Sequence, residues 1–354
     1  MDLLALLRKE ALSVRANAAL FVVLLILLPA ALVAGTLVYE QTIPRDVPVG
    51  VVGEDDATEQ DLAVVDASVV AFASPERYDD RDAAEAALLR EEVYVVIRVP
   101  GELANPEADA TLTVVSDSAF VPFQEPVNES SEVLADGANA SVPANVSVEH
   151  ERLGEERSLS EYLVPPGLLA FVVLFGLVYL PYQVRSERLV LDRLRTSASL
   201  DVVVASKLLF YGAALAVPAA VVGLTTAWLG YDVAALSPAT LAVLGLSFAF
   251  LAATGLAVLF ALGLSRSALV ANLGLALGAV ALSSFLFPVG FFSSTQVTIA
   301  RALPTHYAVV AARSAMLRDV PVSLYADYLL YLLAATVVAL LALKLAMVRY
   351  ERRA

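Results

Sequence analysis

"YLVPPGLLAFVVLFGLVYLPYQVRSERLVLDRLR" (Tyr162–Arg195) begins with a charge-free run, Tyr162–Val184, and passes at once into a densely charged segment. A helix needs roughly 20 apolar residues to cross about 30 Å of hydrocarbon. The first part therefore reads as a membrane span, and the second as the place where the chain turns in water. Moved outward, the same test finds charge-free runs at Ala16–Tyr39, Leu208–Tyr231, Val233–Ser265 and Ser267–Ala300. A sixth, Tyr328–Leu343, extends to Val348 if Lys344 snorkels to the head groups. The 354 residues are 59% hydrophobic and 17% charged, with a mean hydropathy of +0.74. The chain thus reads as an α-helical polytopic membrane protein of six transmembrane helices. They are placed at 16–39 and at about 162–184, 207–230, 239–264, 267–288 and 327–348, with 349–354 as a tail. The first run has basic residues before it and small residues ("ALVAG") near its end, as a signal peptide does. Its length exceeds a usual signal core, so it is read as a retained span.

Charge divides the chain sharply. Tyr39–Glu161 carries 28 acids and 7 bases, a net −21, whereas the remainder carries 9 acids and 16 bases, a net +7. Short loops rich in Arg and Lys stay cytoplasmic. Arg8, Lys9 and Arg15, the Arg185–Lys207 loop, Arg266, and Arg349, Arg352 and Arg353 fall on one side of a six-span chain. Both termini are therefore expected in the cytoplasm of a plasma-membrane protein, with Tyr39–Glu161 outside; Arg301, Arg313 and Arg318 are the exception. Three N-x-S sequons, at Asn128, Asn139 and Asn145, lie in the external segment and mark candidate glycosylation sites.

That external segment, 40–161, reads as an acidic α/β domain and linker between the first and second spans. "VPVGVVG", "VYVVIRVP" and "ATLTVV" have the length and β-branched content of buried strands. "DRDAAEAALLREE" reads as a helix with Asp82 near its start. The α/β unit is expected to end near Ser118, and Gln124–Glu151 to be a flexible or helical return to the membrane. With only three lysines, the acidic surface resembles that of salt-adapted proteins, where dense carboxylates keep a surface hydrated.

Several chemistries are missing from the sequence. No GxxxxGK[ST] loop surrounds any of the three lysines, and no HExxH or GxSxG motif occurs. There is no cysteine, and the two histidines, His150 and His306, form no metal-ligand spacing. His150 reads as a solvated side chain and His306 as a packing or hydrogen-bonding residue. The chain is not expected to be an enzyme or to hold a cofactor or metal. The first five charge-free runs contain no ionisable Asp, Glu, Lys or Arg, which argues against a proton- or ion-coupled carrier.

The charged segment after the second span has two readings. In a helix, Glu187, Arg188, Asp192 and Arg195 share roughly one face, apart from Leu189, Leu191 and Leu194. It is either a basic anchor that orients two spans or a protein-docking surface, and the residues leave both open. The N-terminal "MDLLALLRKEALSVR" (1–15) reads as an interfacial helix on the cytoplasmic leaflet. Leu3, Leu4, Leu7, Ala11 and Val14 form its apolar arc, into whose edge Glu10 intrudes. Ser267–Ala300 is too long for one span; a helix ending near Pro288 and a partly re-entrant piece carrying Arg301 and Pro304 fit its length.

One N-terminal span, a large external domain and five further spans resemble the ABC-2 type permeases, the membrane subunits of ATP-binding-cassette exporters. "SERLVLDRLRTSASLDVVVASKL" is similar to their first cytoplasmic loop, in which a charged helix leads into a "TS" step and a lysine opens the next span. "VPPGLLAFVVLFGLVY" is similar to the entry of their second span. "FLFPVGFF" with "IARALPTHYAVVAARSAML" is similar to the end of the fifth span and the segment after it. Two departures stand in the loop: Leu189 and Val190 lie where the family often has Gly-Thr, and Ala198 where a proline often follows the "TS" step. The external domain looks closest to the NatB-like sodium-export group. The resemblance implies ATP-driven export powered by a separate cytoplasmic ATPase subunit, which binds the ATP. It also implies a second permease chain, identical or related, and no nucleic acid partner. Glu187, Arg188, Asp192, Arg193 and Arg195 are the residues it implies for ATPase contact, and the N-terminal helix would frame the groove that receives that subunit. The rival expectation is a membrane-anchored external binding or sensor protein without transport.

Overall fold

The computed structural model describes Leu25 and residues 3–16, 47–54, 56–70, 73–101, 103, 105, 107, 109–121, 124, 139, 144–194, 198–285, 288–289, 294–318 and 320–353. Helix α1, Leu3–Ala16, matches the expected N-terminal helix, while the body of the expected first span lies outside the described residues. A five-stranded sheet follows, built from β1 Val47–Gly53, β2 Ala73–Tyr78, β3 Val95–Val99, β4 Asp109–Asp117 and β5 Asn145–Leu153. Its order is β2-β1-β3-β4-β5; β1 runs parallel to β2 and β3, β3 antiparallel to β4, and β4 parallel to β5. The two parallel pairs of β1 need crossovers, supplied by α2, Glu59–Val69, and α3, Arg81–Leu89, while most of the connection between β4 and β5 lies outside the described residues.

Local sequence explains these helices. Thr58 and Asp61 form a reciprocal capping box at the start of α2. Asp80 caps α3 by accepting from Ala83 N–H, two residues before the Asp82 that marked the helix in the sequence. α3 covers one sheet face, where Ala84, Ala87 and Leu88 pack with Val52, Val96 and Val115. On the other face Val51, Val65, Val69 and Ile97 belong to a core continuous with the membrane helices. Tyr94 stacks on Phe120 at 5.1 Å, and Phe120 meets Tyr162 edge-on at 5.4 Å, leading from sheet to bundle.

Strand β5 corrects the expected flexible or helical return over Gln124–Glu151. Polar "NVSVEHERL" is poor in large apolar residues, yet it pairs along the whole of β4. Ladder hydrogen bonds to an otherwise open edge, not burial, fix it as a strand. Strand β2, "ASPERY", is likewise a mostly solvated edge.

Four helical stretches among the described residues are long and apolar enough to cross a membrane: Leu159–Ser186, Leu200–Trp228, Pro238–Ala261 and Val322–Glu351. The first comprises α4, Leu159–Leu174, a π-helical turn at Phe175–Tyr179, and α5, Leu180–Ser186. Past the loop helix α6, Arg188–Leu194, come α7, Leu200–Ala214, and α8, Ala216–Trp228; then α9, Pro238–Ala261, and α10, Arg266–Leu282. α10 is apolar but shorter. It ends before the expected break at Pro288, and α11, Ser294–Ala302, and α12, Pro304–Leu317, follow. α13, Ala326–Glu351, closes the chain. The π turn carries Gly176 against α9, where Gly255 faces it so closely that a Cβ there would lie 3.1 Å from the Gly176 carbonyl oxygen. Small residues let helix backbones approach in this way. Phe171, Phe175 and Tyr179 stack along the same span at 5.5 and 5.1 Å, and with Leu269 they line an apolar groove of about 450 Å³. Trp228, the chain's single tryptophan, is exposed at the end of α8, as interfacial aromatics are.

Ser158 and Glu161 form a capping box at the start of α4. Ser158 Oγ accepts from Glu161 N–H at 3.2 Å, and the Glu161 carboxylate accepts from Ser158 N–H at 2.7 Å. The other Glu161 oxygen accepts from Asp232 N–H at 2.8 Å, tying this end to the loop after α8. At the opposite end Lys344 does not merely snorkel: its ammonium donates to both oxygens of Asp201 on α7, at 2.8 and 2.6 Å.

Candidate functional site

The charged segment begins where α5 ends. Arg185 Nε donates to the Leu264 carbonyl at 3.1 Å, pinning that end to the turn beyond α9. Glu187 then leaves the helix with φ −93° and ψ 12°, and α6 starts at Arg188. Arg188, Leu189, Val190 and Arg193 are exposed; Leu189 keeps 71% of its surface. The side chain of Asp192 and all of Arg195 lie outside the described residues.

Glu187 points the other way. Its carboxylate accepts from Lys9 of α1, from Lys207 of α7 at 3.2 Å and from Gln183 at 3.3 Å. Glu10 accepts from Lys9 at 3.0 Å and from Lys207 at 2.9 Å. Two cations and two carboxylates from three segments thus form one neutral cluster, in which Glu10 and Lys207 each keep 1% of their side-chain surface. Burial opposes the charge on Glu187, but Lys207 and Lys9 outweigh it and hold its carboxyl below the ordinary pKa. Burial likewise works against the Lys9 ammonium, and its two carboxylate neighbours raise it above the ordinary value. Of the residues singled out in the sequence, Arg188 and Arg193 form the outward face, whereas Glu187 fastens that face to the bundle.

α1 therefore turns a charged as well as an apolar side chain toward the bundle. Glu10 and Leu6 are buried, Leu7 is half-buried, and Leu4 and Leu12 are exposed. The intruding Glu10 was the sequence signal for this cluster.

A second buried network lies at the sheet end of the bundle. Glu91, in the turn after α3, accepts from Arg313 of α12 at 2.7 Å and from Arg318 at 3.1 Å. Arg318 also donates to Asp117 at the end of β4, at 2.7 Å. Arg313 donates to the Ser284 carbonyl at 2.8 Å and lies 4.6 Å above the Tyr162 ring. Two of the three arginines that broke the charge rule are thereby explained, since they balance acids of the sheet domain; Arg301 is exposed. His306 is a hydrogen-bonding residue, its Nδ1 3.0 Å from Ser284 Oγ.

Burial opposes ionisation of Glu91, but the Arg313 and Arg318 guanidiniums outweigh it and hold its pKa below the ordinary value. In the unfolded chain that carboxyl returns to about 4.3. The stability it contributes is complete above that value and is lost as pH falls through the lower folded-state pKa. The thermal midpoint of the detergent-solubilised chain should therefore fall below about pH 4, and less steeply in Glu91→Gln. Parallel profiles for the two proteins would exclude this carboxylate as a source of the acid sensitivity.

Of the sequon residues, Asn139 exchanges two hydrogen bonds with the backbone of Val146, at 2.9 and 2.7 Å, and Asn145 donates to Asp109 at 3.1 Å. Asn128 lies outside the described residues. Among the described residues no group of three or more His, Asp or Glu could hold a metal ion.

Neither a curated protein nor a solved structure gives a significant match to this chain. A family profile described as ABC-2 family transporter protein matches residues 19–344. That range takes in the sheet domain, the charged loop and the apolar helices up to Lys344, so the chain is a multi-pass membrane protein that belongs to the ABC-2 transporter family, whose members are the membrane components of ABC transporters.

Proposed function

We propose that this chain is the permease subunit of an ABC exporter, driven by a separate cytoplasmic ATPase that docks on α6. The observation that carries the reading is the exposed Arg188–Leu189–Val190–Arg193 face, mounted through Glu187 on a buried ion cluster. A loop that only anchored spans would need bases near lipid. It would not need a fixed connection from its first residue to two other helices. Movement imposed on α6 would pass through Glu187 to Lys9 of α1 and Lys207 of α7, and so to the bundle.

In this reading residues 16–39 form the first of six spans, α10 is the fifth, both termini are cytoplasmic and the sheet domain lies outside. Two permease chains, identical or related, enclose the pathway, and alternating access follows ATP binding and hydrolysis in the partner. The test is purification of the tagged chain from gently solubilised native membranes. A stoichiometric ATP-binding-cassette subunit should come with it. Reversing Arg188, Arg193 and Arg195 to glutamate should lower that yield at least tenfold, a loss of about 1.4 kcal/mol or more, without changing membrane insertion. Recovery of the chain alone, under conditions that preserve known complexes, would return α6 to a topological anchor and favour the sensor reading.

A further inference from the structure

Three elements at the sheet end of the bundle converge on one three-residue turn, Arg90–Glu92. Glu91 binds Arg313 of α12 and Arg318 just beyond it, and Arg313 in turn holds the Ser284 carbonyl after α10. The Tyr328 hydroxyl, at the start of α13, donates to the Arg90 carbonyl at 3.2 Å and to Glu92 at 3.1 Å. Glu91 has φ +59° and Ser284 φ +62°, left-handed conformations that side-chain-bearing residues seldom adopt. Such strain persists where the surroundings impose it, and it clusters at switch points. A buried ion pair contributes little net stability compared with apolar packing. It does provide a contact that is either made or broken, which a two-state element requires.

We propose that Glu91 is a positioning residue of the outer gate. Its carboxylate holds α12 and the Ser283–Ser284 turn closed beneath the sheet domain, and the outward-open state forms when it leaves Arg313. The proposal rests on the permease reading. When Glu91 leaves, Arg318 keeps Asp117, whereas Arg313 keeps only neutral partners, the Tyr162 ring and the Ser284 carbonyl. Opening must therefore bring water to the Arg313 guanidinium, whose Nε already lacks a hydrogen-bond partner among the described residues, because a buried charge without its counter-ion is costly.

The chain has no native cysteine, so one reporter can be read cleanly. Ser283 is fully buried, with its Oγ 2.5 Å from Thr305 Oγ1, and it directly precedes Ser284, whose carbonyl Arg313 holds. The full chain carrying Ser283→Cys is placed in lipid nanodiscs with its co-purifying ATPase, and its labelling rate by a hydrophilic maleimide is measured. Mg-ATP with vanadate should speed labelling about tenfold, and Glu91→Gln should do so without nucleotide, both as shifts in the open population. Tyr328→Phe, which removes hydrogen bonds from the same turn but leaves the ion pairs, should give about a threefold rise. It decides the matter if Glu91→Gln does not fold. A folded Glu91→Gln, or failing that a folded Tyr328→Phe, that labels at the native rate would overturn the proposal, as would an ATPase-bound sample that vanadate leaves unchanged. If no ATPase co-purifies, the permease reading fails by itself; the Glu91→Gln comparison needs no ATPase and still judges the latch.

Discussion

Lys207→Met should destabilise the chain by about 3–5 kcal/mol, the cost of leaving a buried charge without its partner. The side chains of Lys207 and Glu10 each keep 1% of their surface, and Lys207 also holds Glu187. Removal of this ammonium leaves two carboxylates facing Lys9 alone. The second Glu10 oxygen already lacks a hydrogen-bond partner among the described residues, so that carboxylate has nothing in reserve. Its remedies are water, which α1 and α7 exclude, or a proton taken at a cost. Glu10→Gln combined with Lys207→Met removes the imbalance and should recover most of the loss. Thermal midpoints of the native, single and double variants in detergent measure this directly. Single and double variants melting together would show that the four charges do not act as one unit. The functional consequence follows from Glu187: with the cluster loosened, α6 would keep its exposed face and lose its mounting.

Gly255→Leu should be at least as damaging. A Cβ at this position would lie 3.0 Å from Pro181 Cγ, 3.1 Å from the Gly176 carbonyl oxygen and 3.1 Å from Leu177 Cα. Two of those three atoms are backbone and cannot swing aside. α9 must then separate from the π turn, at the 1–3 kcal/mol or more typical of overpacking, about what a misfit methylene costs in a rigid core. The separation also endangers the bond from buried Asn272 Nδ2 to the Gly255 carbonyl, 2.9 Å long, and an unpaired buried amide costs about 1–3 kcal/mol more. Gly274→Leu is the control, because nothing lies within 4 Å of a Cβ there. Gly255→Leu should elute as aggregate and be digested by protease in detergent, with Gly274→Leu behaving as native. Equal behaviour of the two would mean that the close approach at the π turn is not needed for folding.

The strongest signals in the sequence were those that depend on composition over a window. Apolar runs of membrane length overlap the four helical stretches that are long and apolar enough to cross a membrane, because a run of that length without a charge has few other stable solutions. Buried strands β1, β3 and β4 and helix α3 were legible for the same reason: each carries its own apolar pattern or cap. Strand β5 was not, since its pairing is decided by the edge it meets and its own residues are mostly polar. The exposed face of α6 could be read as far as Arg188 and Arg193, whose exposure follows from charge next to a long apolar helix. That Glu187, one residue away, turns inward was decided by Lys9 and Lys207, which lie 178 and 20 residues from it along the chain. The same holds for Glu91, one of 28 acids in its segment, with nothing local to distinguish it. Its partner Arg313 lies 222 residues away. Sequence determined which helices are apolar enough to cross a membrane, because transfer from water is set by each residue's own surface. Tertiary structure alone decided which charges are buried together, because an ion pair's energy depends on a distance that no local pattern records.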